Sequence, residues 1–156
     1  MRILAIDPGI EQTGYALVDI EGHAMTAQEF GCIKTLTTQP LAERLLELQA
    51  DLRQIITTHQ PTAAAVERLV FVHNTTSALA VGQARGVILM TLAEHKIPLH
   101  EYAPTEVKRA VTGNGSADKL SVGTAVRLIF KLASVPRPDD AADALALAVC
   151  HAGQAK

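Results

Sequence analysis

RILAIDPGIEQTGYALVDIE, residues 2–21, sets the architecture of the chain. RILAID (2–7) is a short apolar run closed by Pro8-Gly9, which reads as a buried strand followed by a turn. TGYALVDIE (13–21) is a second strand, rich in Tyr, Leu, Val and Ile. Gly22 then offers a hairpin turn into a third strand over residues 23–35. Three strands at hairpin spacing predict an antiparallel meander.

Beyond the meander, helices and strands alternate. Pro40 starts LAERLLELQADLRQIITTHQ (41–60), where Leu41, Leu45, Leu48, Leu52, Ile55 and Ile56 recur at helical spacing and Pro61 ends the run. TAAAVERLV (62–70) reads as a buried strand, SALAVGQARGVILMTLAEH (77–95) as a helix with small residues at Ala78, Gly82 and Gly86, and IPLHEYAP (97–104) as a fifth strand. Thr105 is placed to cap a short helix, TEVKRAVTG. GNGS (113–116) is a loop, LSVGTAVRLIFKLA (120–133) a helix, and a final helix begins near Asp140. A meander followed by helix-linked strands predicts an α/β domain with a mixed five-stranded sheet flanked by helices. With 156 residues and no repeat or linker, one domain over 1–156 is expected.

Composition narrows the function. Two cysteines without CxxC spacing exclude a disulfide framework and argue against zinc. Five aromatics and no Trp are a poor supply for stacking single-stranded bases. No signal-peptide core and no run of 18 apolar residues is present, so a cytoplasmic location and no membrane are expected. The net charge of −2 hides an asymmetry: residues 1–67 hold four Lys/Arg against nine Asp/Glu, residues 68–156 ten against seven.

The chemistry is concentrated in RPDDAADALALAVC (137–150). Asp139 suits an N-cap, and acids there complement the helix dipole. Asp143 is different: it lies in the second turn, on the face of Asp140, in a helix otherwise made of Ala, Leu and Val. Like charges about 5–6 Å apart repel by roughly 3 kcal/mol at an effective dielectric of 20, and burial adds to that cost. A divalent cation offsets both. Asp7 ends the first strand, and Glu67 sits in the apolar run AAAVE. Asp7, Glu67, Asp140 and Asp143 are therefore the candidate ligands and catalytic residues. Oxygen ligands of this kind select Mg²⁺ or Mn²⁺. Four carboxylates suit two ions about 3.5–4 Å apart in an in-line phosphoryl displacement, one activating water and the other stabilising the leaving oxygen. The expectation is a phosphodiesterase, most simply a nuclease. None of the six histidines shows ligand spacing, and His151 reads as a complement to the last helix's dipole.

IDPG (6–9), TGYAL (13–17), VERLVF (66–71), SALAVGQARGV (77–87), VKRAV (107–111) with Gly113, and DDAADALALA (139–148) together resemble the RuvC family, the bacterial Holliday junction resolvases. The resemblance runs in order through nearly the whole chain. It implies a ribonuclease H-like fold and a homodimer that nicks two strands of like polarity across four-way junction DNA in recombination and repair, working with the branch-migration proteins RuvA and RuvB. Residue by residue, it assigns Asp7, Glu67, Asp140 and Asp143 to the metal site, the third of these standing where the family carries Asp or His. It places Lys108 and Lys119 near the junction and the active site, and it implies DNA contacts from Phe71 and Arg85. The family's loop aromatic follows the strand glutamate by three or four residues; position 70 here is Val, and Phe71 is the aromatic. An actin-like ATPase, a junction-binding module without cleavage, and a nuclease for RNA or hybrids are the competing readings.

Overall fold

The computed structural model describes residues 1–70 and 75–154. Five strands form one sheet in the order β3-β2-β1-β4-β5. The strands are β1 (Arg2–Asp7), β2 (Gln12–Glu21), β3 (Ala24–Lys34), β4 (Ala63–Glu67) and β5 (Leu99–Tyr102). The helices are α1 (Leu41–His59), α2 (Thr75–Glu94), α3 (Pro104–Thr112), α4 (Lys119–Ile129) and α5 (Asp139–Gln154). β1 to β3 are the antiparallel meander, with Gly22 at φ +60° in the two-residue turn. β4 and β5 join parallel to β1, so the sheet is mixed, as the element order predicts.

β1 lies mid-sheet and is covered on both faces, which is why Ile3, Leu4, Ala5 and Ile6 run apolar without alternation. Ile3 and Ala5 pack with Ala16, Val18, Ala65 and the length of α5; Leu4 and Ile6 pack with Leu17 of β2 and with Leu48, Leu52, Ile56, Ile88 and Leu92 of the α1–α2 layer. α5 is enclosed: Ala141, Ala142, Ala144–Ala148 and Cys150 are all buried, and no residue from Asp139 to Ala152 is exposed. α2 is long and apolar enough to cross a membrane by length and composition, yet Ala84, Ile88 and Leu92 are buried in the core. Its other side carries the exposed Leu79 and Met90.

Several boundaries differ from the expectation. β4 stops at Glu67 rather than residue 70, because its partner β5 stops at Tyr102, opposite Glu67; the last ladder bond runs from the Arg68 amide to the Tyr102 carbonyl at 2.7 Å. β5 is confined to 99–102, since Pro104 already opens α3. Thr105 does not cap α3: the start falls one residue before Pro104, and the Ala103 amide donates to Glu106 Oε2 at 2.6 Å. α4 ends at Ile129 because Lys131 turns left-handed, with the Leu132 amide closing onto the Arg127 carbonyl at 2.9 Å. Asp139 lies inside the first turn of α5, held by Arg137 Nη1 at 2.7 Å. His151 is no dipole complement. It is buried, Tyr102 Oη sits 2.8 Å from its Nδ1, and burial, with His100 beside it, holds its pKa below the usual value, so the ring is neutral.

Candidate active site

The C-terminal ends of the parallel strands β1 and β4 lie side by side, the place where open α/β sheets put their ligands. Asp7 and Glu67 stand at those two ends. The first two turns of α5 lie across them, so Asp7, Asp140 and Asp143 each bring a carboxylate oxygen within 4.8 Å of the others. Glu67 joins from the neighbouring strand, close enough for its charge to act on Asp7. Residues 60 and more apart in sequence meet because β4 pairs with β1 in parallel register, Ile6 beside Val66.

The electrostatics follow from that crowding. Burial, then repulsion from Glu67, Asp143 and Asp140, pushes the Asp7 carboxyl up to about 8. Burial, then Asp143, pushes Glu67 up to about 7, with Lys108 and Lys119 acting against the shift. Asp143 is also raised, chiefly by burial, although Lys119 opposes it. At neutral pH the ionisation of Asp7 and Glu67 is therefore suppressed. A site made only of oxygen donors, kept from full ionisation by burial and by its own repulsion, fits a hard divalent cation: the ion supplies the missing positive charge and selects oxygen over softer ligands.

Two lysines face the cluster. Lys119 Nζ is 3.8 Å from Asp143 Oδ2, and Lys108 reaches from α3 closely enough to act on both Glu67 and Asp143. Arg85 does not join them. Its guanidinium pairs with Glu101, and it walls a cleft of about 220 Å³ with Pro8, Glu67, Arg68 and Val81. Asp139 stays outside the group of three, tied to Arg137. Phe71 lies outside the described residues. Sequence reasoning missed Arg68, whose signal was a cation directly after the strand-end glutamate. It also missed Arg137, which borders a second cleft with Lys119 and Asp143. The turn after Asp7 is braced as well: Thr35 Oγ1 donates to the Ile10 carbonyl and accepts from Arg44 Nε at 3.0 Å.

A carboxylate cluster at the ends of parallel strands, on a mixed five-stranded sheet of this order, defines a divalent-metal-dependent nuclease of the ribonuclease H-like class. Comparison with known proteins narrows this. The family model for "Crossover junction endodeoxyribonuclease RuvC" matches residues 3–151. The protein of that name from Chloroflexus aggregans is 52% identical over 152 residues, covering 97% of this chain and 93% of the relative. The structure of Thermus thermophilus RuvC in complex with Holliday junction substrate superposes with a TM-score of 0.93 at 35% identity, covering 99% of this chain and 94% of the other. The yeast mitochondrial resolvase Ydc2 shares the fold, with a TM-score of 0.67 at 17% identity. The chain belongs to the RuvC family of crossover junction endodeoxyribonucleases.

Proposed function

We propose that Asp7, Glu67, Asp140 and Asp143 are the catalytic set with which this chain nicks two strands of like polarity across a four-way DNA junction. The observation that carries the reading is the half-buried all-carboxylate group, whose repulsion Lys108 and Lys119 offset only in part. The set would hold two ions of the Mg²⁺ or Mn²⁺ class. Such ions supply an activated water and charge stabilisation at the leaving oxygen.

The chain's own residues divide the remaining work. Asp7 and Glu67, both raised, give up protons as the site fills, and the four carboxylates fix where the scissile phosphate must sit. Lys119 and Lys108 counter negative charge developing on that phosphate and hold down the proton affinity of Glu67 and Asp143. Arg68 lies beside Glu67 without an ion pair among the described residues, placed to meet the next phosphate along the strand. Arg85 walls the same cleft. Phe71 follows as the candidate apolar wedge at the crossover. The positive half of the chain includes Lys108, Arg109, Lys119, Arg127 and Lys131 on α3, α4 and their flanks, which suits a polyanionic substrate.

A homodimer accounts for α2. Leu79, Gly86 and Met90 lie exposed along one side of it, and an isologous pair matches a substrate with two-fold symmetry. RuvA and RuvB are the proposed branch-migration partners, and the cytoplasm the proposed location. The test is cleavage of a synthetic four-way junction with Mg²⁺ or with EDTA, beside duplex and single-strand controls and Asp143→Asn. Paired metal-dependent nicks on the junction alone, lost in the variant, are expected. Tight binding without cleavage in Mg²⁺ would favour a binding module, and equal cutting of every substrate a general nuclease.

A further inference from the structure

Strand β2 carries no ligand, yet its side chains grade in size beneath α5. On the face toward that helix stand Gly14, Ala16, Val18 and Ile20, with Ala16 and Val18 fully buried in the α5 core and Ile20 packed at its margin. At the large end, Ile20 borders a cleft of about 420 Å³ with Val149 and Cys150. At the small end there is no gap. A Cβ placed on Gly14 would lie 2.1 Å from the Asp140 carbonyl oxygen, 2.6 Å from its carbonyl carbon and 3.0 Å from its Cβ. These are atoms fixed to the helix backbone, which cannot swing aside as a long side chain can. Gly14 is in the extended strand, a conformation open to any residue, so the requirement is for space alone.

The same glycine is the cross-strand partner of Asp7. Side chains of paired residues in an antiparallel ladder project to one face, so position 14 lies beside one ligand and beneath another. We infer that Gly14 is a positioning residue of the metal site: its missing side chain lets the first turn of α5 settle onto β2 and so sets the spacing between Asp140 and Asp7. This rests on the carboxylate reading of the site. A methyl group at position 14 must lift Asp140 away from Asp7, whereas a glutamate at position 140 would reach back by one methylene.

The test is Mn²⁺ binding by calorimetry, with circular dichroism as a check of folding, on wild type, G14A, D140E, G14A/D140E, G31A and D143N. Wild type is expected to bind and D143N to lose most of its affinity; failure of either sinks the carboxylate site itself. Given those two results, G14A is expected to bind at least ~10-fold more weakly. D140E should weaken binding in the wild-type background and strengthen it in the G14A background, a reversal of sign that mere destabilisation does not produce. G31A is the strand control, since the nearest atoms to a Cβ there belong to the Tyr15 side chain, at the ordinary contact distances of 3.5–3.7 Å, and it should bind as wild type does. A folded G14A with undiminished affinity overturns the inference, as does a D140E effect of equal size and sign in both backgrounds. If G14A is unfolded without metal, the Mn²⁺ concentration that refolds it is read instead, and D140E should lower it. A G14A chain that D140E does not recover at saturating Mn²⁺ assigns Gly14 to folding alone and overturns the positioning role.

Discussion

At the scale of single residues the site is built against its own stability. Asp7 and Glu67, pushed up to about 8 and about 7, bind protons more tightly folded than unfolded, so they contribute stability below the ordinary carboxylate range near 4. That contribution is lost as pH rises from there through 7 to 8. Without metal, thermal stability should therefore fall across this window, and Asp7→Asn should be the more stable protein at pH 8, by roughly 1–3 kcal/mol from relieved repulsion. Saturating Mg²⁺ should flatten the slope and reverse the ranking; a metal-free melting series that rises from pH 5 to 8 would contradict the electrostatics described. Metal affinity should climb with pH over the same range, because the ligands must lose protons to bind. Lys119→Ala should lower the cleavage rate about 10²-fold in single-turnover assays while changing junction affinity far less.

At the scale of elements, much was legible in the sequence and the failures share one cause. The meander, α1 between Pro40 and Pro61, and the isolation of Asp143 in an apolar helix are all local patterns, and the structure contains each of them. The run on to Val70, the capping role of Thr105 and the dipole role of His151 were misread because each is decided elsewhere. β4 ends where β5 ends, Pro104 moves the cap of α3 to Ala103, and His151 answers to Tyr102, 49 residues away. Sequence spacing brought Asp140 and Asp143 together; only the parallel β1–β4 pairing brings Asp7 to Glu67. Tyr102→Phe should leave His151 Nδ1 without its partner and cost about 1–3 kcal/mol in urea denaturation, with the metal site unaffected. Thr35→Val strips the Asp7 turn of its brace to α1 and should cost a similar amount. It should also reduce cleavage, which Tyr102→Phe should not.

For the whole molecule, the proposed unit is a homodimer that sets a pair of sites on one junction. Replacing Leu79 with Asp puts a charge on the exposed side of α2, away from the buried Ala84, Ile88 and Leu92. The variant should fold normally and sediment as a monomer, and it should lose paired nicking while its carboxylates stay intact. A dimer that survives this change would move the interface off α2. Junction affinity should fall steeply between 50 and 200 mM salt if the basic half neutralises several phosphates. The graded face of β2 bears on how such proteins lose their trade. A descendant could retain Asp7, Glu67, Asp140 and Asp143, pass every inspection of its ligands, and still be a grip without a blade, because one methyl group had entered at position 14. Inventories of the proposed catalytic residues would count it as an enzyme; the strand that holds none of them would have retired it.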